Sequence, residues 1–182
     1  MLENSGNGFL YRNKILNGGI HFVSNDSNNT LVMSNEIVCG YIEINGVANT
    51  VLGNTVDACN LFGGIHNEEG HGIAVIGNKV MNGGITFRDV GEAGAVVRDN
   101  RVWGAPGSGI SIFCSCSGDV SVVRNQSDYN GGHGIEVGDN CDPASTLLIA
   151  NVATHNAGLG ISVEAGARDG GRNRAKSNAD LR

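Results

Sequence analysis

Apolar residues in this chain come in short β-branched bursts, and most bursts close on an asparagine: "LVMSN", "VLGN", "AVIGN", "AVVRDN", "SVVRN", "LLIAN". The apolar positions do not recur at i, i+3 and i+4, so the pattern argues for strands rather than amphipathic helices. Eight such asparagines, Asn13, Asn35, Asn54, Asn78, Asn100, Asn125, Asn151 and Asn173, follow one another at intervals of 22, 19, 24, 22, 25, 26 and 22 residues. A second anchor keeps the same period. The isoleucine after each Gly-rich turn falls at Ile20, Ile42, Ile65, Ile85, Ile110, Ile135 and Ile161, spaced 22, 23, 20, 25, 25 and 26 residues apart. Within a unit, one apolar strand ends at the asparagine, a short strand follows (at Ile15, Ile37, Val56, Val80 or Val102), and a third begins at the isoleucine.

Self-similarity at this period marks a one-dimensional stack in which each unit buries its apolar face only against its neighbours. Three short strands and three turns per unit predict an all-β solenoid with parallel sheets. About seven to eight coils stack at the ~4.8 Å strand spacing and enclose an Ile/Val/Leu core roughly 34 Å long. The asparagines then form a ladder. An Asn tolerates a left-handed bend between two strands, and its amide can bond the amides of the coils above and below.

Composition sharpens this picture. The chain holds 29 Gly, 23 Asn and only two Pro, which suits many turns and no long helices. No apolar run is long enough to span a bilayer. A net charge of −6 argues against a nucleic-acid partner, because such binders present a basic stripe to the phosphates. Arg168, Arg172, Arg174, Lys176 and Arg182 cluster near the C-terminus and read as a solvated tail. The start, "MLENSGNGFLYRNK", lacks a charged region followed by an apolar core and begins inside a coil. The expectation is one domain over residues 1–182, a fragment of a longer chain.

With its short repeat and asparagine ladder, the sequence resembles the right-handed parallel β-helix proteins of the pectate-lyase-like superfamily, from about Gly8 to Arg174. The ending "GISVEAGARDGGRNRAKSNADLR" looks like the C-terminal coils of secreted β-helix proteins. The resemblance implies an extracellular or cell-envelope location and a polysaccharide partner, but the fold by itself leaves function open.

In the strand that begins at each isoleucine the next residue faces outward, giving the row His21, Glu43, His66, Thr86, Ser111, Glu136, Ser162. His21 and His66 bracket Glu43 within ~10 Å at one coil per residue, a spacing that suits acid–base work or a metal. The plainer reading is a solvated face that merely has to be polar. Glu43 and Glu136 stand four coils, ~19 Å, apart. That is too far for the paired carboxyls of a glycoside hydrolase.

Glu69 and Asp89 occupy the same register of adjacent coils, with Glu68 and Arg88 beside them. The resemblance implies that such carboxylates hold calcium and that an arginine is the base of a β-elimination, roles that would fall to Glu69, Asp89 and Arg88. The alternative is a turn in which Arg88 neutralises Glu68. Two Gly-His-Gly elements, at His71 and His133, resemble part of a polygalacturonase pattern whose remaining motifs are missing. "GGHGIE" approaches a calcium-binding nonapeptide, with Glu136 in place of Asp and no nine-residue period.

Of the cysteines Cys39, Cys59, Cys114, Cys116 and Cys141, Cys116 and Cys141 both fall six residues after their isoleucines, ~5 Å apart if their coils are neighbours. A Cys116–Cys141 bridge is expected, with Cys114 competing for the same partner. Cys39 and Cys59 read as buried fillers, and no CxxC pair points to zinc.

The functional expectation is a β-helix that binds polysaccharide through His21, Glu43, His66 and Glu136. If it is a calcium-dependent lyase, Arg88, His66 and Glu43 are the catalytic candidates. The alternative is a non-catalytic structural or adhesive repeat protein of the envelope, monomeric or associating end to end through open strand edges.

Overall fold

The computed structural model describes residues 2–3, 7–21, 28–59, 63–113, 118–138, 145–163 and 166–179. Among these residues every regular element is a strand, and the strands form three parallel sheets of eight. One coil shows the plan. Tyr41–Val47 lies in sheet A, Thr50–Leu52 in sheet B and Thr55–Asp57 in sheet C, and the next coil returns to sheet A with Gly64–His71. Each strand pairs only with its equivalents one coil away, which is the stack that the period requires. Sheet A runs from Leu2–Glu3 to Ile161–Val163, sheet B from Phe9–Tyr11 to Arg168–Asp169, and sheet C from Lys14–Leu16 to Arg174–Lys176.

The core is built from inward rows in register. Ile20, Ile42, Ile65, Ile85, Ile110 and Ile135 stack down sheet A, all buried. Val51, Val75, Val97 and Val122 do the same in sheet B, and Ile37, Val56, Val80 and Val102 in sheet C. The sheet A isoleucines are the second anchor of the repeat, and the sheet C row is the short strand that follows each asparagine.

The asparagine ladder is continuous over all eight positions. Each Oδ1 accepts both the backbone N–H and the Nδ2–H of the asparagine one coil earlier: Asn78 donates to Asn100 at 2.9 and 3.0 Å, and Asn125 to Asn151 at 3.0 and 3.0 Å. The left-handed bend, however, belongs to the residue before each asparagine. Arg12, Ser34, Asp99, Arg124, Ala150 and Arg172 have φ between 51° and 63°, and Gly53 and Gly77 have 62° and 64°. The division is physical: the bend residue points its side chain to water, leaving the asparagine to turn inward. There it satisfies backbone groups that the corner would otherwise orphan, such as the Val75 carbonyl, bonded by Asn100 Nδ2 at 2.9 Å.

Two further expectations change. Cys39 and Cys59 are not fillers; they form a disulfide between adjacent coils, Cα–Cα 4.8 Å. Cys114, Cys116 and Cys141 lie outside the described residues. Arg168, Arg172, Arg174 and Lys176 do not form a tail. Arg168–Asp169 and Arg174–Lys176 pair with Thr146–Ile149 and Val152–Thr154 as a last coil, carried by Asn173 at the end of the ladder. Arg182 lies outside the described residues.

Candidate functional site

The outward row of sheet A has the register that the sequence suggested: His21 beside Glu43, then His66, Thr86, Ser111, Glu136 and Ser162, one per coil. It is not a uniformly solvated face. A cavity of about 530 Å³ opens over its middle, with Glu43, His66, Thr86 and Ser111 along the floor and Tyr41, Glu68, Arg88 and Phe113 around it. Ser111 is only 4% exposed.

The cavity exists because the loops entering sheet A change length. From ladder asparagine to isoleucine the chain takes seven residues in the coil of Asn78, eleven in the one before and ten in the one after. The short turn at Asn82–Gly83 thus leaves a notch, bounded by Gly63 on one side and by Ala105–Ser108 on the other. The Ala105–Ser108 wall is held from below. Gly131 donates to the Ala105 carbonyl at 2.8 Å, Gly132 to Gly107 at 2.9 Å, and Ala105 to Asn130 Oδ1 at 3.0 Å. Asn130 heads a second ladder, with Asn156 and Asn178, in which each Nδ2 donates to the next Oδ1 at 2.8 and 2.9 Å. Its signal was present as a second asparagine five residues after Asn125, Asn151 and Asn173.

Tyr41 is a further residue that the isoleucine alignment passed over. The position before each isoleucine is Gly19, Gly64, Gly84, Gly109, Gly134 and Gly160, and tyrosine only here. A Cβ on Gly19 would lie 3.1 Å from the Tyr41 ring. At Gly64, φ is 126° and a Cβ would meet the Gly84 carbonyl oxygen at 2.1 Å, so neither the coil before Tyr41 nor the coil after it can carry a side chain at this position.

The ionisable groups are arranged in pairs. His21 Nε2 is 3.1 Å from Glu43 Oε1, and Arg88 Nη1 is 3.2 Å from Glu68 Oε2. Further along, Glu136 Oε2 accepts the Ser108 hydroxyl at 2.7 Å and its Oε1 faces His133 Nε2 at 4.0 Å. His133 Nδ1 accepts the Leu159 N–H at 2.9 Å, so the Nε2 tautomer carries the proton toward Glu136. His66 is different. Burial pushes its imidazole below the usual histidine range, against the pull of Glu68 and Glu43, and Arg88 adds to the depression. Its ring bonds the Gly63 backbone while Nε2 is buried with no partner among the described residues, so Nδ1 makes that bond. The adjacent Asn67 Oδ1 is also buried and unpartnered, although its Nδ2 bonds the Gly70 and Asp89 carbonyls. Leaving such an atom unmet costs about 1–3 kcal/mol, and of these two, unpartnered among the described residues, only His66 lines the cavity.

Glu68 and Glu69 lie where the Gly64–His71 strand bulges against Tyr41–Val47. Glu69 donates its N–H to Asn45 Oδ1 at 3.3 Å, and Asp89 Oδ1 accepts the Gly91 N–H at 3.0 Å. Among the described residues no group of three or more His, Cys, Asp or Glu side chains gathers as a metal site. His71 lies over Gly91, whose Cβ would overlap its ring, away from the residues that line the cavity. No helix is long and apolar enough to cross a membrane.

The architecture is therefore that of a parallel β-solenoid with a ligand-sized notch on one sheet. The family described as right handed beta helix region matches residues 60–178, 119 of the 182 residues, and the chain belongs to it. Neither the curated proteins nor the solved structures return a match.

Proposed function

We propose that the protein binds a polysaccharide along the outer face of sheet A, with the notch over His66, Thr86 and Ser111 as its central subsite. The observation that carries this reading is the cavity of about 530 Å³ on that face, edged by the rings of Tyr41 and Phe113. Aromatic rings flanking a floor of hydroxyl, imidazole and carboxylate groups supply both the apolar and the hydrogen-bonding contacts that a sugar requires. His21, Glu43 and Glu136 continue the polar row beyond the notch.

A neutral glycan suits the charge better than a polyuronate. Glu43, Glu68 and Glu136 outnumber Arg88, which is already paired with Glu68. The calcium-dependent lyase, with Arg88 as base and Glu69 and Asp89 as ligands, is the less favoured form for the same reason. Within such a reaction His66 is poorly placed as a base, because Nδ1 bonds the Gly63 backbone and Nε2 is buried.

The test is retention on immobilised neutral glucans and xylans beside polygalacturonate, with Tyr41→Ala and Phe113→Ala as variants. Each substitution is expected to weaken neutral-glycan binding about tenfold, roughly 1.4 kcal/mol, while circular dichroism stays unchanged. A wild-type protein that no neutral glycan retains overturns the reading and leaves the structural or adhesive alternative. Ultraviolet detection of an unsaturated product from polygalacturonate, lost with chelator and with Arg88→Ala, would instead restore the lyase.

A further inference from the structure

The charges of this protein are sorted by face. The strands of sheets B and C and the corner between them run from five residues before to three residues after each ladder asparagine. Ten of the twelve Lys and Arg fall in those stretches, with five of the eighteen Asp and Glu, for a net +5; the remaining two cations and thirteen acids give −11, which together make the −6 of the chain. Among the described residues the cavity is lined by Glu43 and Glu68 against Arg88 alone, whereas the ladder corner is basic.

We propose that this corner is a second binding surface, one that takes an extended anionic glycan bearing carboxylate or sulfate groups. Two clusters of cations face outward along it. In the middle coils Lys79, Arg98, Arg101 and Arg124 flank Asn78, Asn100 and Asn125, and all four are exposed. In the last coil Arg168, Arg172, Arg174 and Lys176 flank Asn173, again all exposed. From Asn78 to Asn173 is four coils, ~19 Å, which a few sugar residues span.

Most of these cations are unspent. Lys79, Arg98, Arg168, Arg172, Arg174 and Lys176 have no ion pair among the described residues. Asp169, the acid nearest the last cluster, is occupied by the Gly171 N–H at 2.8 Å and Asn173 Nδ2 at 2.6 Å. The others are held in place. Asp99 grips Arg124 at 2.7 and 2.8 Å, and the Arg101 guanidinium sits 5.2 Å over Trp103.

The geometry favours a glycan over a nucleic acid. The cations recur beside the ladder in the coils of Asn78, Asn100, Asn125 and Asn173, with none in the Asn151 coil, and the parallel coils set them along a line that matches an extended polymer and not the helical phosphate track of a duplex. Trp103, in the same strand as Arg101, already has that guanidinium 5.2 Å over its ring, so a base stacking on that face would have to displace the cation. Beside the row lies a shallow depression of about 430 Å³, lined by Ala74, Ile76 and Val96 with Arg98 and Arg124 at its edge, where the apolar face of a sugar ring has a floor next to the cations.

The experiment is binding of the full chain to dextran sulfate and to polygalacturonate, with uncharged dextran and a single-stranded DNA oligonucleotide alongside, across a salt series. Binding to the charged glycans is expected to fall by roughly tenfold or more between about 50 and 200 mM salt, as release of counterions from a few contacts requires. The triple variants Lys79→Ala/Arg98→Ala/Arg101→Ala and Arg172→Ala/Arg174→Ala/Lys176→Ala should each lose at least tenfold in affinity and flatten the salt dependence. The salt series on wild-type protein tests the electrostatic contact even if a variant fails to fold. Absence of binding at low salt, salt-independent binding, or folded variants that bind as wild type overturn the proposal. Tighter binding of the oligonucleotide than of either glycan overturns it in favour of a nucleic acid.

Discussion

One buried asparagine in the ladder holds several polar groups at once. Asn100 Oδ1 accepts the Asn78 N–H and Nδ2–H, and its own Nδ2 serves the Val75 carbonyl and Asn125 Oδ1. Asn100→Ala strands these groups in an interior that water does not reach, so a loss of about 3 kcal/mol or more is expected, readable as a shifted urea midpoint. Asn100→Asp should also destabilise, because it removes the Nδ2 donor and buries a charge. His66 supplies a second prediction at this scale. Its pKa is lowered in the folded protein, so below the unfolded value of 6.5 the unfolded chain takes up the proton first. The stability that depends on neutral His66 is complete above pH 6.5 and drains away as pH falls through the lower folded pKa. His66→Gln is expected to flatten the decline between pH 7.5 and pH 5 in thermal melts; an unaltered slope would assign the decline to other groups.

At the scale of elements, the turns rather than the strands distinguish one coil from the next. The disulfide between Cys39 and Cys59 ties together the turns that lead to Tyr41 and Gly63, both at the cavity. Closing a loop of sequence separation 20 stabilises by about 3 kcal/mol in the chain-entropy account. Cys39→Ser/Cys59→Ser should lower stability by up to that amount and weaken glycan retention, because the Tyr41 and Gly63 turns on one side of the notch are no longer joined. Equal melting of the variant and the wild type under oxidising conditions would show the bridge to be idle. The second asparagine ladder plays the corresponding part for the opposite wall. It runs through the coils of Asn125 and Asn151, whose entry loops take ten residues, and ends at Asn178, while Gly18, Gly40 and Gly83 stand at its position where the turn is short.

For the whole molecule, stacking in which strands pair only between adjacent coils sets the dynamics. Every strand pairs with the coils directly above and below, so stability is a sum over neighbours and the ends are weakest. Hydrogen exchange should therefore be slowest at central amides such as Val97, Ile110 and Val122 and fastest toward Leu10, Ile15 and Ala175, with a graded profile rather than one global value. A flat profile would mean that the solenoid opens as a single unit. The same one-dimensional order separates charge by face, with an acidic notch on sheet A and a basic corner along the ladder, and so divides the two proposed ligands by their charge.

The repeat by itself determined a great deal. Strand order, parallel pairing, the inward isoleucine row, the outward row from His21 to Ser162 and the ladder from Asn13 to Asn173 were all legible, because a coil buries its apolar face only against neighbours one period away and the period is written in the chain. Sequence could not assign the left-handed residue to the position before each asparagine, since Arg12, Ser34, Asp99 and Ala150 share no chemistry; only the need to turn the asparagine inward selects them. It likewise missed the Cys39–Cys59 bridge, because aligning on isoleucine hides a pairing made in turns of unequal length. The notch, too, was decided in three dimensions. Its wall at Ala105–Ser108, the burial of Ser111 and the unpartnered Nε2 of His66 arise from one short turn between two long ones, and the space left by such a step depends on how the loops stack, which no single coil encodes.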